Sequence, residues 1–299
     1  MESFAKERAM ILMLTRNHRA RLLNTLESFR QMPGKWPIIV VDNGSSDGTA
    51  EAVASHFPKV MLIKARHNMG AAARNIGVAY VHTPFVAFCD DDTQWETGAL
   101  SRAVNLLDAA PDVAVLSACV QVGATRGPDP LCSPVVGTPF VAGHLPDSQI
   151  LGFMAGACVM RTRAFYDAGG YWPPFFWGGG EALMALDLAE RGWRIVYADD
   201  VVARYFPAQE SDARQKQHLL IRNSIWLAWM RRPLRAAWRE THVQFAQAHR
   251  FGIFRWMLLQ VLLGLPCALR QRKVISPAIE AMREQLDHAA APAIVSPGY

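Results

Sequence analysis

Three consecutive aspartates, Asp90, Asp91 and Asp92, end the apolar run Phe85-Val86-Ala87-Phe88-Cys89. Carboxylates packed this tightly repel one another, so their placement demands a positive counterpart. Their oxygens are hard ligands of the kind Mg²⁺ and Mn²⁺ take, and these ions fill their remaining positions with water and substrate phosphate. Along an extended backbone side chains alternate, so Asp90 and Asp92 project to the same side. Further polar residues follow other apolar runs: Thr15-Arg16-Asn17, Asp42-Asn43-Gly44-Ser45, and Arg66 with Asn68. Carboxylates, amides, hydroxyls and cations in such company suit a metal-bridged phosphate ligand. A solvated acidic turn is the plainer alternative for the triplet.

The elements that must position these residues alternate in type. Residues 8–15, 36–43, 59–65 and 84–90 are short apolar runs, each the length of a buried strand. Between them, 21–32 places Leu22, Leu23, Leu26, Phe29 and Met32 at helical spacing. Residues 48–57, with Asp47 as N-cap, and 70–81 read as two more helices. Continuous apolar strands alternating with helices imply a mostly parallel sheet covered on both faces. In such sheets ligands bind beyond the carboxyl ends of the strands, so the polar residues above converge on one edge. Residues 121–140 are rich in Gly and Pro and read as a long loop. Residues 153–205 read as strand, short helix, aromatic Gly-rich loop, helix from about Glu181 to Glu190, and strand from Arg194. The C-terminal third is helical, with large apolar faces over 218–230 and 251–269.

Charge is unevenly placed on this 299-residue chain of net charge +5. From Arg231 onward there are ten basic and four acidic residues, so the preceding body is near neutral. A neutral body with a basic tail argues against a nucleic-acid-coating protein and leaves room for contact with an anionic membrane. The five cysteines form no CxxC pair, which fits a reducing compartment rather than disulfides or zinc. The apolar run from Ala9 to Leu14 is too short for a signal-peptide core, and no uninterrupted apolar stretch has the length of a spanning helix. The expected location is cytoplasmic, with peripheral placement at the inner face of the membrane as an extension of that expectation.

Four segments, VDNGSSDGT (41–49), NMGAAARNIG (68–77), FCDDDTQW (88–95) and GGGEALMALDLAERGWRIVY (178–197), stand in an order and spacing that resembles the family 2 glycosyltransferases. The likeness covers about residues 8–232. It implies the α/β GT-A fold of nucleotide-diphospho-sugar transferases, with a mostly parallel central sheet flanked by helices. Residues 1–232 would form that domain and 233–299 a basic helical extension. It also implies an inverting enzyme that moves a sugar from a UDP-, GDP- or dTDP-linked donor to an acceptor hydroxyl, on a glycan, a lipid-linked sugar or a small molecule, helped by Mn²⁺ or Mg²⁺.

By the same resemblance, Asp42 contacts the nucleotide base, Thr15 and Asn17 line the nucleoside pocket, and Arg74 and Asn75 lie near the nucleotide. Asn43, Arg66, Asn68 and Asp91 join the donor site. Asp90 touches the ribose and shares the metal with Asp92. Glu181 is the candidate base that takes the acceptor's proton. Two departures stand out: the family often has Glu-Asp where this chain has Glu181-Ala182, and His near 201–209 is replaced by Arg204 and Tyr205, so that Arg204 could meet phosphate directly. The aromatic loop 169–180 is either an acceptor-side lid or a hydrophobic hinge.

Two other readings compete. One is a catalytically silent nucleotide-sugar-binding protein on the same fold. The other is a phosphatase of the haloacid-dehalogenase type, which wants its acidic motif on the first strand and not the fourth. A nicotinamide oxidoreductase is disfavoured because no GxGxxG follows the first strand. The segment 254–273 is apolar between Arg255 and the basic run Arg270, Arg272 and Lys273. A membrane surface, a partner subunit in a homodimer and the protein's own core remain open as its neighbour.

Overall fold

The computed structural model describes residues 8–123, 150–206 and 213–290. The expected loop over 121–140 therefore lies, beyond Gly123, outside the described residues. The first half alternates as expected: β1 (Ala9–Thr15), α1 (Arg19–Gln31), β2 (Ile38–Asp42), α2 (Thr49–His56), β3 (Met61–Lys64), a 3-10 turn (Gly70–Ala72) continuing as α3 (Ala73–Val78), and β4 (Phe85–Asp90). The chain continues through β5 (Thr93–Trp95), α4 (Ala99–Ala109), β6 (Val113–Val122), β7 (Ala157–Arg161), α5 (Thr162–Asp167), α6 (Gly180–Glu190) and β8 (Arg194–Tyr205). Four helices follow: α7 (Ala213–Arg231), α8 (Leu234–Arg250), α9 (Phe254–Arg270) and α10 (Pro277–Ala290).

All eight strands form one sheet in the order β3-β2-β1-β4-β7-β6-β8-β5. The β1–β2, β2–β3, β1–β4 and β6–β8 pairs are parallel, whereas β7 and β5 enter antiparallel. Only Asp91 and Asp92 separate β4 from β5, yet β5 sits at the far edge of the hydrogen-bond order. The sheet must therefore curl until that edge returns beside the end of β4.

Alternation along β1 divides the core. Ala9, Ile11 and Met13 face a cluster with Leu22, Leu26 and Phe29 of α1 and Leu100, Val104 and Leu107 of α4. Met10 and Leu12 face the opposite cluster, with Val78 of α3, Phe165 of α5 and Met184 and Leu188 of α6. Each Leu, Ile or Phe so buried contributes about 1.5–3 kcal/mol, which is why the strand runs are uninterrupted and apolar. Successive helices flip from one face to the other at β1, so the crevice between the ends of β1 and β4 is the switch point where ligands bind in such sheets. A third cluster joins Leu183 and Leu186 of α6 to Ile221, Ile225 and Trp226 of α7 and to Met257, Val261 and Ala268 of α9. Two details differ from the sequence reading. Asp47 lies one residue before the cap position of α2, where its Oδ1 accepts from Thr49 N while its Oδ2 accepts from Arg19 N at the start of α1. The elements β5, α4 and β6 have no counterpart in that reading.

Candidate active site

Strand register brings the polar ends level. Thr15 lies opposite Asp42 across β1–β2, and Leu14 lies opposite Asp90 across β1–β4. The three aspartates then diverge. Asp91 turns inward at 5% exposure, accepting from Thr15 Oγ1 at 2.7 Å, with His18 Nδ1 2.9 Å from its Oδ2. Its backbone carbonyl accepts from Thr25 Oγ1 at 2.8 Å, so Asp91 ties the end of β4 to α1. Asp92 faces Arg21, whose Nη1 is 3.1 Å from Oδ2. Asp90 meets Arg74, with Nη2 2.5 Å from Oδ1.

The charges bear this out. Burial, with Asp90 and Asp91 close by, pushes the Asp92 carboxyl up to about 6. The hydrogen bond to Asp91 raises His18 above an ordinary imidazole. Burial alone would lower Arg74, but Asp90, Tyr171 and Glu181 leave it above the usual guanidinium range. The positive counterparts of the aspartate run are therefore Arg21, His18 and Arg74. His18 and Arg21 escaped the sequence reading, although RNHRAR (16–21) is a cationic cluster directly after a strand end.

The second wall is built of amides. Asp42 is buried and its Oδ1 accepts from Ser45 N at 2.9 Å. Asn43 Nδ2 donates to Asn68 Oδ1 at 2.9 Å and to Gly70 O at 3.1 Å, while its Oδ1 accepts from Met69 N. Asn17 adopts φ 55°, a left-handed conformation that asparagine tolerates, and its Oδ1 accepts from Ser46 N at 2.8 Å. These contacts brace the turns after β1 and β2 against the loop that follows β3. Arg66 is exposed and forms no hydrogen bond or ion pair among the described residues.

The third wall is the aromatic loop leading into α6. Asn75 holds it at both backbone groups of Tyr171: Nδ2 donates to Tyr171 O at 2.8 Å and Oδ1 accepts from Tyr171 N at 2.9 Å. Ala71 N donates to Phe176 O at 2.6 Å, an approach that requires Gly70, since a Cβ there would fall onto that carbonyl. Phe176 itself sits at φ 60°, strained for an aromatic residue. From the other side, Asn223 Nδ2 donates to the carbonyls of Phe175, Trp177 and Gly178 at 2.8–2.9 Å. Arg222 Nη2 donates to Pro174 O and Phe175 O and its guanidinium lies over Trp226; burial lowers it to about 10. The loop is thus latched from two sides, with Phe175 buried and Phe176 and Trp177 exposed.

Glu181 opens α6 beside this loop. Burial raises its carboxyl above the ordinary glutamate range, against the opposing pull of Arg74. The Arg74 guanidinium stands over the Tyr171 ring, 5.5 Å from its centroid. Among the described residues, buried Arg74 Nε has no hydrogen-bond partner, while Tyr171 Oη stands near enough to the Glu181 carboxyl to favour its charge without a well-formed hydrogen bond. Buried polar atoms are nearly always paired, so Arg74 Nε, beside Asp90 and Glu181, is a donor still open to a polar ligand. Ala182 packs into the third core cluster and lines a small cavity with Leu220, Asn223 and Leu227.

For a divalent ion the donor set is lean. No three His, Cys, Asp or Glu side chains converge into a ready-made cage among the described residues. An ion of the Mg²⁺ or Mn²⁺ type can take two carboxylates and complete its shell from phosphate and water, and Asp90 and Asp92 each commit one oxygen to an arginine and keep the other clear of it. Gly156 leaves the space in which Asp90 Oδ2 sits, and no protein donor among the described residues reaches that oxygen. Arg204 pairs with Glu96, Nη2 to Oε1 at 2.7 Å, and so is already committed.

The curled sheet, the switch-point crevice and the helical C-terminal region define a GT-A glycosyltransferase fold, shared with two solved enzymes. Mannosyltransferase PcManGT from Pyrobaculum calidifontis in complex with GDP-Man and Mn²⁺ superposes at a TM-score of 0.54, with 21% identity, over 97% of this chain and 76% of that chain. GalNAc-T7 with UDP, GalNAc and Mn²⁺ superposes at 0.64, with 13% identity, over 86% and 57%. The profile described as glycosyl transferase family 2 matches residues 10–169, over half of the chain, and the protein belongs to that family. The N-acetylglucosaminyl-diphospho-decaprenol L-rhamnosyltransferase of Mycobacterium tuberculosis (strain ATCC 25618 / H37Rv) is 26% identical, over 73% of this chain and 84% of that protein. Glycosyltransferase AglE of Haloferax volcanii is 33% identical over 29% of this chain and 30% of that protein. The chain is a glycosyltransferase.

Proposed function

We propose that this glycosyltransferase moves a sugar from a nucleotide-diphosphate donor to an acceptor hydroxyl with inversion at the anomeric carbon. The observation that carries the reading is the grouping of half-exposed Asp90 with buried Arg74, Tyr171 and Glu181 beside the carboxyl end of β4, where Arg74 Nε has no hydrogen-bond partner among the described residues. In it, Asp42, Thr15 and Asn17 form the nucleoside wall with Asn43 and Asn68 behind them. Asp90 and Asp92 would hold a Mn²⁺ or Mg²⁺ ion, which when bound supplies positive charge to the diphosphate and its departing negative charge. Arg74 and Arg21 keep the two carboxylates oriented. Asp91 holds the end of β4 in place. Glu181, raised by burial, takes the proton of the attacking hydroxyl from the face opposite the diphosphate. The name of the mycobacterial relative favours a lipid-linked sugar as acceptor over a free glycan or small molecule.

Thermal-shift screening of UDP-, GDP- and dTDP-sugars, with and without Mn²⁺, tests the donor site. One nucleotide class should raise the melting temperature, and only with the ion. Asp92→Asn is expected to lose that metal-dependent part. Glu181→Gln is expected to keep donor binding while transfer falls by about 10²–10⁴. Full turnover in excess EDTA would overturn the metal assignment, and a wild-type rate in Glu181→Gln would remove it as the base. The anomeric configuration of the product, read by NMR, tests inversion.

A further inference from the structure

The helix α9 (Phe254–Arg270) has two unlike sides. Met257, Val261 and Ala268 are buried, and Gly264 faces the Trp226 ring of α7. The opposite side carries Leu258, Leu259, Leu262, Leu263 and Leu269, with Leu259, Leu262 and Leu263 exposed at 55%, 56% and 69%. Their i, i+3, i+4 spacing makes one continuous apolar stripe. Phe251, Phe254 and Trp256, all exposed, extend it at the amino end. An exposed leucine face of this kind on a folded protein marks a docking surface.

Charge decides what docks. No Asp or Glu occurs from 250 to 279, whereas Arg250, Arg255, Arg270, Arg272 and Lys273 flank the stripe. Arg272 is partly engaged, donating to Arg232 O at 3.0 Å, while Arg250, Arg255, Arg270 and Lys273 are exposed. A second copy laid face to face would bring two sets of these cations together with no acid on this helix to oppose them. A surface of anionic headgroups neutralises them instead. Among the described residues no helix is long and apolar enough to cross a membrane. The 17 residues of α9 reach about 25 Å against a hydrocarbon core of about 30 Å, so the helix lies along a surface rather than through it.

We infer that α9 is the docking face for a bilayer containing anionic phospholipid, with its leucine stripe at the boundary of headgroups and acyl chains and its flanking arginines and Lys273 on lipid phosphate. This inference does not depend on the proposed transfer mechanism. The test is flotation of the full chain with vesicles of phosphatidylcholine alone or with phosphatidylglycerol added. The wild type is expected to float with the anionic vesicles, far less with the neutral ones, and to be released by salt. The variant Leu259→Glu/Leu262→Glu/Leu263→Glu changes only exposed side chains. It should keep the wild-type circular dichroism and donor-induced thermal shift while losing flotation. Replacing Arg255, Arg270 and Lys273 with Gln should weaken anionic-vesicle binding about a hundredfold. Wild type that stays unbound at low salt, or a leucine variant that floats equally well, overturns the inference. So does a light-scattering mass showing a dimer that the leucine variant dissolves while the wild type ignores vesicles. A chain ending at Ala290 that floats where the full chain does not would assign the stripe to the protein's own last residues, again against the inference.

Discussion

Arg21 and Arg74 reach the aspartate run from α1 and α3 and pair with the two outer carboxylates, while Asp91 takes the Thr15 hydroxyl and His18, with Arg21 3.7 Å away. The three neighbours thus have different work, and different consequences when removed. Asp91 is buried with good partners, so Asp91→Ala is expected to destabilise by about 2–4 kcal/mol, read from the urea midpoint. Asp92 behaves in the opposite sense. Its folded pKa of about 6 lies above that of a free aspartate, so its ionised form is disfavoured by the fold. The penalty is complete above about pH 6 and fades as the pH falls from there toward the ordinary carboxylate range. Metal-free Asp92→Asn should therefore be more stable than wild type at pH 7.5, and the difference should close on acidification. Equal melting temperatures across that range would refute the placement. Glu181 is also raised, so the acid limb of kcat/KM should lie above that of a free glutamate and disappear in Glu181→Gln.

At the scale of elements, the aromatic loop decides how the site closes. Sequence offers aromatic residues and glycines and leaves a lid and a hinge as equal readings. The structure latches the loop through the two amides of Asn75 and Asn223, one from α3 and one from α7. Asn223 is fully buried and serves three carbonyls, so Asn223→Ala should cost about 1–3 kcal/mol and lower kcat more than it alters donor affinity. Unchanged kcat would show that the latch does not shape the site. A second clasp ties the last helices down. Arg232, 2% exposed, pairs with Glu280 at 2.8 Å and Asp287 at 2.8 Å, both from α10. Glu280→Ala leaves a buried guanidinium short of its partner and should destabilise by about 3–5 kcal/mol in urea unfolding.

At the scale of the whole molecule, α6 belongs to two cores. Its Met184, Ala185 and Leu188 cover the sheet, and its Leu183, Leu186 and Ala189 meet the C-terminal helices. The change in composition near residue 232 therefore need not mark a separable unit. A chain ending at Arg232 would expose Ile221, Ile225, Trp226, Leu227 and Met230 of α7. At about 1.5–3 kcal/mol each, the loss is of the order of a typical domain's whole stability of about 5–15 kcal/mol. We expect such a fragment not to fold alone; a sharp thermal transition in it would establish residues 1–232 as an independent domain.

Much of the scaffold was legible from local pattern. Buried parallel strands must be apolar throughout, and the polar residues that end them must lie on one edge, so β1, β2 and β4 and their polar termini follow from periodicity, whereas β3 is an edge strand with Met61 and Lys64 exposed. The resemblance across four spaced motifs pointed to the same family that the profile match establishes. The partners were not legible. Thr15 and Asp91 are 76 residues apart and Arg21 and Asp92 are 71 apart, and neither pairing follows from periodicity along the chain. Sequence determined which residues stand at strand ends and that their charges had to be balanced. Only the tertiary structure decided that arginines and a histidine balance them, that Asp91 turns inward, and that one side of α9 stays bare, because those outcomes depend on which elements become neighbours when the sheet curls and closes its cores.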